Sequence, residues 1–382
     1  MSSGRILIVD PIRSGGIVPE GVKKNLIDYL DGYSTCLYCT GDLHSIRHPN
    51  IKKLVEELET FIDCSKVRFV HGAREGIFTV MFALYKEYVL KNEKAPVVVA
   101  DGNAHYTSLL AAERSMLEVV LTKTTDYPEF KVVPEDFEEK IELVKKNYGK
   151  PPLLALITYP DGNYGNIPEI KKIVDICKSH GIHILINAAY AIGRMPFSLN
   201  KIGADFAVGS GHKSMACTGP IGVLAMTEEA SQIILKKSKY KKNKEVELLG
   251  CTVRGAPAVC LLQVLPYLKE RVSKWKTKVE IARYIAERLE KELGFKLLGE
   301  KPHNHDLLHF ETPQLYEISL KVRDRFFLYK ELKKKNIIGI KPGITKRMKI
   351  STYLLEKERA DYFIDCLREI VERFEKYAFT NK

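Results

Sequence analysis

The residue best suited to chemistry is a lysine that ends a run of small residues, Lys213 in Asp205-Phe-Ala-Val-Gly-Ser-Gly-His-Lys213. The apolar start of this run predicts a buried strand, and Ser210, Gly211 and His212 predict a tight turn after it. A lysine there is partly desolvated, which lowers its pKa and makes the neutral amine nucleophilic. Ser210 and His212 could donate hydrogen bonds to a phosphate. The simpler interpretation of Lys213 is an exposed turn lysine.

Two other loops carry groups suited to a flat, phosphorylated ligand. His71-Gly-Ala-Arg-Glu-Gly76 follows a predicted strand and precedes a helical stretch, so backbone N–H groups could approach a phosphate and Arg74 could add charge. His105 comes after the next strand, in Asp101-Gly-Asn-Ala-His105, and could stack on a flat ring. The simpler interpretations are an ordinary strand-to-helix turn and a structural histidine.

Two asparagines complete this group of strand-end residues. Asn163, in Tyr159-Pro-Asp-Gly-Asn163, could hydrogen-bond a phenolic oxygen, and Asn187 could face a pyridine nitrogen. Either could instead be a turn or capping residue. Five strand-end loops that each supply one suitable group resemble the fold-type I pyridoxal-phosphate enzymes, the aspartate aminotransferase superfamily. The resemblance implies that Lys213 holds the cofactor as a Schiff base and that the protein is a homodimer.

The elements that must position these groups follow a βαβ rhythm, which predicts a mostly parallel sheet covered by helices on both faces. The strand candidates are Val67–Val70, Pro96–Ala100, Leu153–Tyr159, His183–Ala188, Asp205–Val208 and Ile221–Met226. We expect an α/β fold in which an N-terminal arm and helix (1–60) precede a large domain with a mixed sheet (61–245) and a smaller C-terminal α+β domain (246–382).

Three segments narrow the resemblance to one family. They are the lysine segment Gly209–Pro220, the histidine segment Asp101–Ser108 and the cysteine segment Tyr33-Ser-Thr-Cys-Leu-Tyr-Cys-Thr-Gly-Asp42. Together with Cys251 they resemble the archaeal O-phosphoseryl-tRNA:cysteinyl-tRNA synthases over residues 10–375. The resemblance implies a transferase that replaces the phosphate of phosphoseryl-tRNA(Cys) with sulfur in tRNA-dependent cysteine biosynthesis. By position, it implies catalytic roles for Lys213, Cys36, Cys39 and Cys251. It implies cofactor contacts from Lys213, Ala73, Arg74, His105, Asn163, Asn187, Ser210, Gly211 and His212.

The cysteines of the Cys-x-x-Cys pair, Cys36 and Cys39, could carry a persulfide, exchange disulfides or bind metal. With Cys251 they would offer three thiolates, which fit zinc poorly but could hold an iron–sulfur cluster with an open iron site. We favour the cluster over the persulfide. The remaining cysteines lie in apolar or helical contexts and are expected to be small core residues.

The chain carries a formal net charge of +12 and 8 cysteines in 382 residues. Its basic stretches, Lys236–Lys244 and Lys333–Lys349, are suited to a tRNA backbone, or are simply solvated loops. Arg13, Arg47, His48 and Arg254 are candidates to receive the leaving phosphate.

The sequence lacks a signal peptide and a long apolar run, so we expect a cytoplasmic protein without a membrane span. Expected partners are phosphoseryl-tRNA(Cys), a second copy of the chain, the phosphoseryl-tRNA synthetase and a sulfur donor. The main alternative function is a cysteine desulfurase that acts on free cysteine, and a catalytically silent tRNA-binding scaffold is a second.

Overall fold

The computed structural model describes residues 6–30, 34–35, 42–43, 46–47, 49–249 and 253–380. Its strands are β1 (Leu7–Ile8), β2 (Ser34–Thr35), β3 (Asp42–Leu43), β4 (Ile46–Arg47), β5 (Lys66–Val70), β6 (Ala95–Ala100), β7 (Glu118–Leu121), β8 (Pro152–Thr158), β9 (His183–Asn187), β10 (Phe206–Ser210), β11 (Gly222–Met226), β12 (Val253–Arg254), β13 (Lys296–Leu298), β14 (Leu307–Glu311), β15 (Ile337–Ile338) and β16 (Arg347–Ser351).

Its α-helices are α1 (Arg13–Gly16), α2 (Glu20–Leu26), α3 (Ile51–Ile62), α4 (Ala73–Leu84), α5 (Tyr106–Arg114), α6 (Glu135–Tyr148), α7 (Ile170–Ser179), α8 (Leu199–Ile202), α9 (Gly211–Ser214), α10 (Glu228–Ile234), α11 (Gly255–Ser273), α12 (Trp275–Leu293), α13 (Pro313–Lys321), α14 (Phe327–Lys334) and α15 (Lys357–Thr380). None of the helices in the described part of the chain is both long and apolar enough to span a bilayer.

A seven-stranded sheet forms the centre of the molecule, in the order β5-β11-β10-β9-β8-β6-β7. The strands from β10 to β7 are parallel, whereas β11 runs antiparallel to both of its neighbours, β10 and β5. This confirms the predicted mixed, mostly parallel sheet. The edge strand β7 is not among the predicted strands; it is only four residues long, and none of its side chains is fully buried.

The central strands carry no hydrophobic alternation because helices cover both faces of the sheet. Every residue of β8, β10 and β11 is buried, as expected for strands with apolar neighbours on each side. Parallel strands place their carboxyl ends at one edge. The loops after β5, β6, β8, β9 and β10, which contain the predicted site residues, therefore meet there.

The C-terminal part has a core of its own. Strands β13, β14 and β16 form an antiparallel sheet, and α12 and α15 pack against it around buried Phe310 and Phe363. The N-terminal strand β1 belongs to this part, since it pairs in parallel with β15 and buries Leu7 and Val9 in the same core. Helix α11, by contrast, packs with the large sheet through residues such as Leu261 and Leu265.

Candidate active site

Lys213 lies in the short helix α9, directly after the buried end of β10. Gly211 is required there, because a Cβ would come within 2.5 Å of Ile221 Cγ2. The Lys213 Nζ lies 5.1 Å from the ring centroid of Tyr190. Burial, reinforced by the positive charge of Arg194, lowers the pKa of Lys213. The side chain is therefore a partly desolvated amine, as the sequence predicts.

The N-terminal segment packs directly on the lysine turn. A Cβ on Gly15 would lie 2.2 Å from the carbonyl oxygen of Lys213, and one on Gly16 would lie 1.9 Å from that of His212. Only glycine permits such backbone approach. The Ala216 N–H also donates to the Gly15 carbonyl, at 2.9 Å. Helix α1 thus brings Arg13 beside the site, although it lies 200 residues from the lysine in the chain.

Lys213 borders an inner cavity of about 360 Å³ at the carboxyl edge of the sheet. Of the predicted cofactor contacts, it is lined by Ala73, Arg74, His105, Asn187, Ser210, His212 and Lys213. Gly211 lies behind this wall, buried in the turn. The remaining predicted contact, Asn163, lies outside the inner cavity and is exposed.

One end of the inner cavity is rich in hydrogen-bond donors. Helix α4 begins at Ala73, and its N-cap Gly72 offers no side-chain acceptor to the first N–H groups. The Ser210 hydroxyl lies 3.5 Å from His212 Nδ1 across the same end. The pKa of His212 is lowered by burial and then by Lys213. An uncapped helix N-terminus together with hydroxyl and imidazole groups suits the phosphate of pyridoxal phosphate.

The other walls of the inner cavity suit a flat ring. His105 caps α5, where its Nδ1 accepts from the Thr107 N–H at 3.3 Å. Burial, then the charges of Lys213 and Lys349, lowers the pKa of His105 to about 4, so its ring is neutral at pH 7. Asn187 ends β9 and is buried, with its Nδ2 only 3.4 Å from Ser108 Oγ. A neutral ring face and a buried amide match the chemistry of a pyridine ring.

A second, outer cavity of about 890 Å³ opens beside the first. The two share Ile12, His105, Gly162, Tyr190 and Lys213. The outer cavity also carries four cationic side chains, Arg13, Lys341, Arg347 and Lys349. Asn163 lies in its wall, and the backbone carbonyl of that residue is 3.1 Å from His309 Nδ1. Lys213 therefore lies where the inner cavity meets a positively charged outer one.

A buried ion pair that sequence reasoning missed lies at this junction. Arg194 is fully buried, and its Nη1 donates to Asp306 Oδ2 at 2.8 Å. Its Nη2 donates to the carbonyl oxygens of Pro11 and Lys213, each at 3.0 Å. One guanidinium thus joins the N-terminal segment, the lysine turn and the C-terminal part. Nothing local marks it, since Asp306 lies 112 residues away in the chain.

Tyr190 is a further site residue that sequence reasoning missed. It lines both cavities, and its ring lies 5.2 Å from the Arg194 guanidinium carbon as well as near Lys213. Burial raises the pKa of Tyr190 to about 12, so the phenol stays protonated at neutral pH. Its position three residues after Asn187 was the only available signal.

The predicted sulfur-handling residues Cys36, Cys39 and Cys251 lie outside the described residues, as does His48. Arg47 and Arg254 are described as backbone only. Strand β2 ends at Thr35 and pairs antiparallel with β12, in the register Thr35↔Val253. The chain segments that lead into Cys36 and out of Cys251 are therefore neighbours. Among the described residues, Cys64, Cys177, Cys217, Cys260 and Cys366 are free.

Comparisons with known proteins identify the family to which the chain belongs. A family model described as O-phosphoseryl-tRNA(Sec) selenium transferase matches residues 73–368. The O-phospho-L-seryl-tRNA:Cys-tRNA synthase of Methanosarcina acetivorans is 47% identical over 369 residues, 96% of this chain and 94% of the relative. The crystal structure of a SepCysS-SepCysE N-terminal domain complex matches with a TM-score of 0.89 and 44% identity, covering 98% of this chain and 96% of that one.

A cysteine desulfurase from Thermococcus onnurineus matches with a TM-score of 0.71 at 18% identity, over 96% of this chain and 95% of the other. That likeness shows a shared fold, which is the predicted fold-type I architecture. The much higher identity to the synthases extends over nearly the whole chain. The chain belongs to the O-phospho-L-seryl-tRNA:Cys-tRNA synthase family.

Proposed function

We propose that this chain converts O-phosphoseryl-tRNA(Cys) into cysteinyl-tRNA(Cys), with pyridoxal phosphate as cofactor. The observation that carries the proposal is the position of Lys213 at the junction of the inner cavity and the cationic outer cavity. An enzyme that removes phosphate from an amino acid needs a reactive amine next to an anion-binding space. The names of the relatives, at 47% identity, support the same substrate.

The inner cavity would hold the cofactor. The N–H groups of Ala73 and Arg74, with Ser210 and His212, would bind its phosphate, while His105 would cover the ring and Asn187 would face its nitrogen. Asn163 would have to reach the ring oxygen from the outer cavity. When bound, pyridoxal phosphate supplies an electron sink that stabilises negative charge on Cα of an attached amino acid.

The chain's own groups would then move the protons. Lys213 Nζ would take the proton from Cα and later return it, because its lowered pKa leaves more neutral amine at pH 7 than an exposed lysine has. Tyr190, protonated and beside Lys213, would help to keep water out of the junction. The phosphoseryl group would enter through the outer cavity, where positive side chains offset its charge.

Cys36, Cys39 and Cys251 would handle the incoming sulfur. The pairing of β2 with β12 supports a common location for the segments that carry them. We favour an iron–sulfur cluster on these thiolates, with a persulfide relay as the alternative. Anaerobic purification followed by quantification of iron, sulfide and cofactor separates the two: about three iron atoms or more per chain supports a cluster, and none supports a persulfide.

The proposed assembly is a cytoplasmic homodimer that receives its tRNA from a phosphoseryl-tRNA synthetase and its sulfur from a separate donor. The relative crystallised with the SepCysE N-terminal domain supports a further protein partner of that kind. Light scattering of the purified protein, alone and with such a domain, measures both associations.

The decisive experiment supplies the purified holoenzyme with phosphoseryl-tRNA(Cys) and sulfide and measures cysteinyl-tRNA(Cys). A parallel assay offers free cysteine and measures released sulfur. We expect product only in the first. Sulfur release from cysteine without any cysteinyl-tRNA would instead identify a desulfurase. A colourless protein that stays free of added cofactor would favour a tRNA-binding scaffold.

A further inference from the structure

A second half-buried amine, Lys349, lies in the outer cavity together with Lys213. Strand β16 carries it, and β16 is fixed in register because it pairs with β14 from Arg347 to Ser351. The Lys349 Nζ donates a hydrogen bond to the carbonyl oxygen of Gly162, in the loop after β8. The amine thus reaches from the C-terminal part into the space beside the lysine turn.

No carboxylate among the described residues forms an ion pair with Lys349, within 4.0 Å. The negative charge of buried Asp161 raises the pKa of Lys349 against the effect of burial, but Asp161 forms no ion pair with it, and its two oxygens accept the backbone N–H groups of Asn163, Tyr164 and Asn166, each at 2.8 Å. A half-buried cation without a carboxylate partner is costly, and a bound anion would offset that cost.

The other groups around Lys349 also favour an anion. Lys213, Arg347 and Arg13 add positive charge to the same cavity. His105 and His309 add no positive charge, because burial first and then Lys213 or Lys349 lower their pKa values to about 4. His105 Nδ1 accepts from the Thr107 N–H, so the proton of this neutral ring is on Nε2, whereas the single N–H of His309 donates to the Asn163 carbonyl oxygen. Asp10 lines the cavity as well, but its Oδ1 accepts the N–H groups of Ile12 and Arg13.

We propose that Lys349 binds the phosphate group of the phosphoseryl substrate, exchanging the Gly162 carbonyl oxygen for a phosphate oxygen. The inference rests on the proposed function and names the residue that receives the leaving group. When the Cβ–O bond breaks, its electron pair leaves with the phosphate oxygen, and the ammonium group of Lys349 stabilises that charge. The phosphate is released as the inorganic anion, and Lys349 returns to Gly162.

The test titrates inorganic phosphate into the holoenzyme, in which the inner cavity already holds cofactor, and measures binding by calorimetry at pH 7.5. Lys349→Gln should weaken phosphate binding by about 10- to 100-fold, the loss of one charge-assisted hydrogen bond. Lys94→Gln is the matched control. Lys94 is also partly buried and donates to a glycine carbonyl, that of Gly181 at 2.7 Å, but it lies at the opposite edge of the sheet. The Lys94→Gln variant should bind phosphate with an affinity within about 2-fold of the wild-type value.

Lys349→Arg gives an independent readout. Burial lowers the pKa of Lys349 to about 8. Phosphate should therefore bind more weakly as the pH rises from 7 to 9.5 in the wild-type protein, because the amine loses its proton. The arginine variant should bind phosphate without this fall, since a guanidinium stays charged in that range.

Equal phosphate affinity in the wild-type and Lys349→Gln proteins, or no phosphate binding by the wild-type holoenzyme, would overturn the inference. The inference would also be overturned if phosphate affinity fell with rising pH in Lys349→Arg as it does in the wild-type protein. Because inorganic phosphate binding is measured without tRNA, failure of the proposed function is seen separately, as a wild-type protein that binds phosphate but makes no cysteinyl-tRNA.

Discussion

The inner cavity is built almost wholly from loops of one sheet, whereas the outer cavity is built mainly from the two ends of the chain. The inner walls come from the carboxyl ends of β5, β6, β8, β9 and β10. The outer walls come from residues 8–13 and from residues 329–349, which pairing of β1 with β15 brings together. The proposed cofactor site therefore follows from the geometry of one parallel sheet, while the proposed substrate side depends on contacts between the two ends of the chain.

The largest effect should follow from replacing Lys213, one of the residues that line both cavities. Lys213→Ala should lower the rate of cysteinyl-tRNA formation by about 10⁴-fold or more, because the same amine would attach the cofactor and move the Cα proton. Borohydride reduction followed by mass spectrometry measures the attachment directly. Lys213→Arg, which keeps the charge but cannot form the bond, should be equally inactive. Retained cofactor linkage in either variant would assign the attachment to another lysine.

The next effect concerns the contacts that hold the outer cavity to the inner one. Asp306→Ala leaves the buried Arg194 without its carboxylate, which should lower the free energy of unfolding by about 3–5 kcal/mol. Denaturant titration measures this loss. The double variant Arg194→Met/Asp306→Leu should be less destabilised than Asp306→Ala, since no charge is left unpaired. It should still lose turnover, because the carbonyl of Lys213 loses its donor. If the losses of unfolding free energy in the single variants Arg194→Met and Asp306→Leu simply added up in the double variant, this account would be contradicted.

The same contrast explains what could be predicted from the sequence. Ser210, His212 and His105 were predictable because each follows a recognisable strand, and strand-end loops of a parallel sheet must meet. Arg194 and Lys349 were not, because their partners lie 112 and 187 residues away and no local pattern encodes such contacts. Asn163 follows the same kind of strand, yet it lies in the outer cavity, because the turn around Asp161 carries it past the ring site.

The fold shows a similar limit. Buried strands such as β8 and β9 gave strong apolar runs, and their predicted bounds agree with the structure to within a residue. The helical region after β12 is two helices, α11 and α12, divided at Lys274. The first packs with the large sheet and the second with the C-terminal core, a division that depends on the tertiary partners.

A moderate effect on tRNA binding should distinguish the two basic stretches, Lys333–Lys349 and Lys236–Lys244. Lys341 lines the outer cavity, whereas the stretch Lys236–Lys244 lies near the far end of α4, about 18 Å from the helix start at the inner cavity. Lys341→Gln should raise KM for the tRNA by about 5-fold. It should also make the slope of log affinity against log salt concentration shallower by about one phosphate contact. Lys241→Gln is the comparison, since it removes an equally exposed charge. A larger effect of Lys241→Gln would place the tRNA backbone on the remote stretch.

The smallest effect tests the ring wall of the inner cavity. His105→Ala should weaken cofactor binding by about 2- to 4-fold, the contribution of one ring face, whereas His105→Phe should keep most of it. The contribution of His105 to folding stability also depends on pH. Because the pKa of His105 is lowered to about 4 in the folded protein, below the ordinary 6.5, the folded protein binds fewer protons than the unfolded chain between those two pH values. The contribution of His105 to stability is thus complete above pH 6.5 and is lost as the pH falls towards 4. Cofactor affinity measured from about pH 5.5 to 8 should show no step that His105→Phe removes. A step near pH 6.5 that disappears in His105→Phe would mean that the charged imidazolium, not the neutral ring, contacts the cofactor.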